Sequence, residues 1–253
     1  MLADAIRKHD DDVLLFYEPV VWGMLLDSTT LGSGFTHVPG GAAYANRSVY
    51  SYHYYCSSFG GDPSVCNELI DPLIMTAVRD DVKGLGGSSF MTEWGGCDGT
   101  EASTLDECLA VAASADRNFQ SWTEYSGFGQ SGVYPDAVEL RVLTRAYMRA
   151  IAGTPVNMTF NDTTLAFDAC WEVDTSIAAP SVAFVPFARR YGGVGGASVT
   201  GTLNLKLAVD AAAQQVSATW VPGAGMSGAV LQPTRSKPGS EASEVACLAV
   251  RRL

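Results

Sequence analysis

Residues 88–96 read SSFMTEWGG: a short apolar run, a glutamate near its end, then a tryptophan and two glycines. Three other stretches also read as short strands: VLLFYEP (13–19), SVYSYHYY (48–55) and FQSWTEY (119–125). Between them, ELIDPLIMTAVRDDVK (68–83) and LDECLAVAASADRNF (105–119) carry helical spacing. A further helix is expected over 136–153, DAVELRVLTRAYMRAIAG, with Val138, Val142, Leu143, Ala146 and Ile151 on its apolar face and Gly153 closing it. Strand followed by helix, repeated along the first 153 residues, predicts a parallel α/β region.

From Thr154 the period changes to two. LAFDACWEV (165–173), LNLKLAV (203–209) and QVSATW (215–220) alternate apolar and polar residues, and glycine- and proline-rich turns such as RRYGGVGGA separate them. Residues 154–253 therefore read as an all-β sandwich, with TRSKPGSEASE (234–244) as a flexible tail. The aromatics of SVAFVPFARRY (181–191) read as exposed and able to touch membrane or glycan, although such a domain more often just packs against the one before it.

The chain has 253 residues and a net charge of -11, which argues against nucleic acid, since no basic stripe is available to replace phosphate counterions. No apolar run reaches the ~20 residues that span a bilayer. The N-terminal MLADAIRKHDDD lacks the apolar core of a signal peptide and reads as the end of a helix entering a strand. The six cysteines point to an oxidising compartment. Cys56 and Cys66 bracket one short loop and Cys97 and Cys108 another, which suits disulfides; Cys170 and Cys247 remain as a candidate third pair. Asn46, Asn157 and Asn161 each begin a glycosylation sequon. No CxxC, and no His near a Cys pair, supports a metal site.

Strand period locates candidate chemistry. Val49, Ser51, His53 and Tyr55 are expected on one face of their strand, and Tyr50, Tyr52 and Tyr54 on the other. In SSFMTEW, Ser89, Met91 and Glu93 are expected to point one way; in FQSW, Gln120 and Trp122 point together. The polar and aromatic candidates lie at strand C-termini, which form the active-site face of a (β/α)8 barrel. His53, Tyr55, Glu93 and Trp122 are thus expected to converge on one pocket.

FYEPVVWG, GFTHVPGG, NRSVYSYHYY, FMTEWGG and YPDAVELRVLTRAYMRAIAGTPVNMTF together resemble the endoglycoceramidases of glycoside hydrolase family 5. The resemblance implies a (β/α)8 barrel followed by a β-sandwich, of which this chain would hold strands 5–8 and the sandwich. It implies cleavage, with retention and without a cofactor, of the β-glycosidic bond between oligosaccharide and ceramide in glycosphingolipids. A glucosylceramidase or other β-glucosidase of the family, and a non-catalytic glycan- or lipid-binding protein, are the competing readings.

By the same resemblance Glu93 is the nucleophile, the Tyr55 hydroxyl orients its carboxylate, His53 lines the subsite and Trp122 floors it. The GSGFTHVPGG loop (32–41) with His37, together with Trp22 and Glu18, is expected to border substrate. Retention requires a second carboxylate about 5 Å away as acid/base. Glu18 is not that group, because Tyr17 replaces the family's Asn and the strand count places it on strand 5 rather than 4. The acid/base, a signal peptide and the other half of the barrel are therefore expected upstream, with the protein secreted or in a lysosomal or endomembrane lumen. Alone, the chain is expected to show no measurable turnover, since acid catalysis contributes roughly 100- to 10,000-fold.

Overall fold

The computed structural model describes residues 2–19, 34–55, 62–95, 102–125, 137–202, 204–222 and 244–253. The chain forms two compact units, Met1–Glu139 and Leu140–Leu253.

The first unit opens with helix α1 (Leu2–Arg7) and strand β1 (Leu15–Tyr17). A 3-10 turn (Ala42–Arg47) leads to β2 (Ser48–His53). Helix α2 (Pro63–Val65) runs through a π turn (Cys66–Ile70) into α3 (Asp71–Leu85). Pro72 follows the π turn directly, in the first turn of α3. Strand β3 (Ser88–Glu93) and helix α4 (Ala102–Arg117) follow. The strands pair in parallel in the order β1-β2-β3. Residues 121–125 extend the sheet: Met91 N–H donates to the Ser121 carbonyl at 2.9 Å, and Thr123 N–H to that of Met91 at 3.0 Å. Parallel neighbours in chain order, with α-helices between β2 and β3 and between β3 and residues 121–125, form a partial (β/α) barrel sheet; an open doubly wound sheet reverses its order partway.

The outer face of β2 is fixed by three tyrosines. Tyr50, Tyr52 and Tyr54 are buried, and each hydroxyl donates to α3: Tyr50 to Asp81 Oδ2 at 2.8 Å, Tyr52 to Met75 Sδ at 3.5 Å, and Tyr54 to Asp71 Oδ1. The predicted split of β2 into a tyrosine face and a Ser51–His53–Tyr55 face follows from this layer. Below the sheet, the buried Arg7 donates to the carbonyls of Val13 (2.5 Å) and Arg47 (2.8 Å) and lies over the Tyr44 ring.

Strand β3 departs from the predicted alternation. Tyr52 pairs with Met91, but the next residue of β2, His53, pairs with Glu93. Thr92 is an extra residue, a β-bulge, so Met91 and Glu93 do not share a face. Met91 is completely buried beside Tyr52.

In the second unit, helix α5 (Ala137–Leu143), which spans the divide, gives way to β4 (Tyr147–Ala150) and β5 (Gly153–Phe160). The helix expected over 136–153 is thus cut short, and residues assigned to the first domain supply a strand to the second. Helix propensity in RAYMRAIA yields to pairing of Tyr147, Met148 and Ala150 with the Ser181–Phe184 strand. Gly153 caps no helix. A Cβ there would sit 1.9 Å from the Glu172 carbonyl oxygen, so the position requires glycine for close approach.

Strands β6 (Phe167–Val173), β7 (Ser181–Phe184), β8 (Ala197–Gly201), β9 (Leu205–Asp210), β10 (Gln215–Trp220) and β11 (Val245–Arg252) complete two antiparallel sheets, β4-β7-β10-β9 and β5-β6-β11-β8. The core holds Phe167, Ala169 and Trp171 of β6, Ala246, Leu248 and Val250 of β11, and Val216 and Ala218 of β10. The residues after the expected tail therefore form a central strand, with the alternating burial that VACLAVRR encodes. Cys170 and Cys247, register partners on β6 and β11, are joined by a disulfide. The aromatics of 181–191 are not an exposed patch: Phe187 and Tyr191 are buried, and the Tyr191 hydroxyl donates to the Leu165 carbonyl at 2.7 Å. Asp162 binds Arg190 at 2.6 Å and Arg141 at 2.5 Å, tying the β5–β6 turn down.

Asp71 carries a testable consequence. It is fully buried, and burial raises its carboxyl above the ordinary value against the opposing hydrogen bond from Tyr54 and the charge of Arg117. Between its unfolded value, near 3.8, and the raised folded value, the native chain holds a proton that the unfolded chain has released. Its contribution to stability therefore falls as pH rises through that window. Denaturant unfolding of Asp71→Asn against the parent is expected to show the variant gaining relative stability from acid to neutral pH. A constant difference would contradict this.

Candidate active site

The bulge brings Glu93 to the same face as His53 and Tyr55. Tyr55 Oη donates to Glu93 Oε2 at 3.2 Å, and His53 Nδ1 lies 3.3 Å from the same oxygen. The far nitrogen of that ring, Nε2, lies 3.7 Å from Glu18 Oε1 at the end of β1. The three strand ends thus contribute Glu18, His53–Tyr55 and Glu93 in sheet order. Glu93 is neither buried nor fully solvated, its side chain 30% exposed, and His53 is 36% exposed. A carboxylate in this position is reachable by a ligand and still held by fixed neighbours.

The Tyr55 phenol is pushed up to about 12, first by burial, then by the Glu93 charge and the hydrogen bond to it. It therefore stays protonated across neutral pH and remains a donor to the carboxylate. That hydrogen bond fixes one carboxylate oxygen, a requirement for a nucleophile that must approach along one line.

Other candidates fall at varying distance from this group. Trp122 is the bridge partner of Met91 and meets the buried Trp94 edge-on, with ring centroids 5.0 Å apart. It adjoins the residue after Glu93 and is placed in line with Met91. His37 is exposed, and its Nδ1 donates to the Val38 carbonyl at 2.9 Å, while Phe35 of the same loop packs edge-on against Tyr17. Trp22 lies outside the described residues. So do Cys56 and Cys97, and with them the two loop pairings, although Cys66 and Cys108 are both disulfide-bonded. The asparagines Asn46, Asn157 and Asn161 are exposed.

Ser51 lies on the expected face beside His53 and Tyr55, and it meets Thr92, which the sequence does not single out. Their hydroxyls meet at 2.6 Å, on the residue that precedes Glu93 and the strand beside it. Only the departure from strict alternation in SSFMTEW, with two polar residues in succession, hints at Thr92.

A direct test of the pairing follows from its electrostatics. In Glu93→Gln, Tyr55 is expected to ionise at lower pH than in the parent, because the adjacent negative charge is gone, yet still above the ordinary 10 because burial is the larger cause. NMR titration of tyrosine-labelled protein measures this, and an unchanged Tyr55 midpoint would contradict the contact.

Comparison with known proteins bears on the family of the chain. Residues 2–127 match the cellulase (glycosyl hydrolase family 5) model, and residues 145–230 match the glycoside hydrolase family 5 C-terminal domain. The chain is 30% identical over 186 residues to an endoglycoceramidase from Cyanea nozakii, covering 67% of this chain and 34% of that protein. It is 28% identical over 181 residues to one from Hydra vulgaris, covering 68% and 32%. Among solved structures, endo-glycoceramidase II from Rhodococcus sp. superposes with a TM-score of 0.69 at 19% identity, over 99% of this chain and 53% of that one. Its ganglioside GM3 complex gives 0.70 at 19%, covering 99% and 52%. Cryptococcus neoformans sterylglucosidase 1 gives 0.65 at 13%, covering 99% and 43%. The chain thus spans about a third of the length of these curated relatives and about half of the Rhodococcus structure. With a catalytic-domain model over the strand-and-helix unit and the family's own C-terminal model over the sandwich, the chain belongs to glycoside hydrolase family 5.

Proposed function

We propose that this chain supplies the nucleophile side of a retaining β-glycosidase site that acts on the bond between sugar and ceramide in glycosphingolipids. The observation that carries the reading is the convergence of Tyr55 Oη and His53 Nδ1 on Glu93 Oε2. In this mechanism Glu93 attacks the anomeric carbon and the aglycone oxygen leaves with a proton from a second carboxylate. The resulting glycosyl ester on Glu93 is then hydrolysed by water that the same second carboxylate activates. Tyr55 holds the nucleophile in line, and Glu18 steadies the His53 ring from its far side. Among the described residues no carboxylate is assigned that second role.

The choice of lipid substrate is supported by the endoglycoceramidase names of the curated relatives. The disulfide Cys170–Cys247 and the bonded Cys66 and Cys108 support a secreted or endomembrane-lumen setting.

The nucleophile can be tested without the acid. A β-lactoside fluorinated next to its anomeric carbon, with dinitrophenolate as leaving group, needs no proton donor for departure, and the fluorine slows hydrolysis of the ester. The purified chain is expected to acquire one fluorolactosyl mass on the peptide that contains Glu93, and Glu93→Gln to acquire none. The matching fluoroglucoside tests the β-glucosidase alternative, which requires that it label faster than the lactoside. No adduct with either reagent, or an adduct elsewhere, would contradict the assignment.

A further inference from the structure

The β3 bulge is recorded by both neighbouring strands. On the β2 side, Tyr52 pairs with Met91 and His53 with Glu93, leaving Thr92 without a partner. On the other side, Thr123 N–H donates to the Met91 carbonyl and Tyr125 N–H to the Trp94 carbonyl. Strand 121–125 thus advances by two residues while β3 advances by three. An uninterrupted ladder would put residue 93 on the face of residue 91, against the helices, because side chains alternate with period two. The extra residue reverses that parity and turns the carboxylate toward His53 and Tyr55.

Thr92 is clamped where this reversal occurs. Its Oγ1 lies 2.6 Å from Ser51 Oγ, on a buried serine, and 3.4 Å from the Tyr52 carbonyl. Its own carbonyl accepts from Thr123 Oγ1 at 2.6 Å. A bulged residue in a parallel sheet has lost its ladder partner and needs substitute hydrogen bonds to hold one conformation. The side chain binds the strand before it and the main chain binds the strand after it. We infer that Thr92, braced by Ser51, is a positioning residue that sets the direction of the Glu93 carboxylate. It acts through Glu93 without touching substrate. This inference rests on the reading of Glu93 as nucleophile, and deepens it.

Thr92→Val keeps the β-branched shape and removes the hydroxyl; Thr92→Ser keeps the hydroxyl; Ser51→Ala removes the same contact from the other strand. Two readouts are taken on the 253-residue chain: trapping of Glu93 by the fluorolactoside, and carbodiimide-promoted amidation of Glu93, normalised to the exposed Glu68 by peptide mass spectrometry. Thr92→Val and Ser51→Ala are each expected to slow trapping by about 10- to 100-fold, the scale of a misplaced reacting group. They are also expected to change Glu93 amidation against Glu68, while Thr92→Ser stays close to the parent in both. Parent-like rates in Thr92→Val and Ser51→Ala would overturn the inference, as would equal losses in Thr92→Ser. If the parent itself forms no adduct, the nucleophile reading fails, and amidation decides the positioning claim alone. A hydroxyl-dependent change in Glu93 then upholds it, and its absence removes it. Should Thr92→Val not fold, Ser51→Ala against the parent gives the same decision.

Discussion

The row of hydroxyls from Tyr50, Tyr52 and Tyr54 to α3 is the constraint on which the first unit depends. A strand covered on both faces could present either set of alternate side chains to the helices. Three phenols with acceptors at Asp81, Met75 and Asp71 make the choice, because each would be a buried unsatisfied donor if the strand were turned over. Burying an unpaired polar group costs about 1–3 kcal/mol, so the wrong parity is penalised several times. Once the tyrosines point outward, His53 and the strand-end Tyr55 point inward. The position of the candidate site is a consequence of how the opposite face packs.

That constraint fixes β2 and leaves β3 one residue out of step. Met91 obeys the helix layer and Glu93 the cleft, and both are possible on one short strand only because Thr92 interrupts the ladder. The result is a carboxylate at the rim of a parallel sheet with two side chains from the adjacent strand on one of its oxygens. Bulges recur beside active sites because they re-aim a side chain without moving the sheet. The sandwich is organised differently. Its stability comes from interdigitated apolar residues of two sheets, from a disulfide between register partners on β6 and β11, and from Asp162 set between two arginines.

Much of this was legible in the sequence, and the failures have physical causes. The four parallel strand segments, the tyrosine face of β2 and the alternating runs of β6 and β10 follow from periodicity alone. Glu93, His53 and Tyr55 could be grouped because they occupy successive strand ends. The grouping rests on an alternation in β3 that the bulge breaks: Glu93 meets His53 and Tyr55, and Met91 does not share its face. The two successive polar residues Thr92 and Glu93 are the one local sign of a bulge, and the extra residue is defined only against partner strands. The helix expected over 136–153 is too long because RAYMRAIA has helical propensity, whereas its pairing with β7 lies more than thirty residues away. The polar, glycine-containing stretch before it hides the final strand, although Ala246, Leu248 and Val250 alternate as a buried strand should. The aromatics of 181–191 looked exposed because their partners, such as the Leu165 carbonyl, are distant in sequence.

The central claim is that residues 91 and 93 face opposite ways. Single substitutions Met91→Cys and Glu93→Cys, probed with a thiol-specific alkylating reagent under native conditions, measure this most directly, because the described cysteines are all in disulfides. The thiol introduced at position 93 should react readily at the open side of the sheet, and the one at position 91 should stay protected until the protein unfolds. Comparable reactivity at the two positions would show an unbroken ladder, and the carboxylate would then have no claim to the cleft.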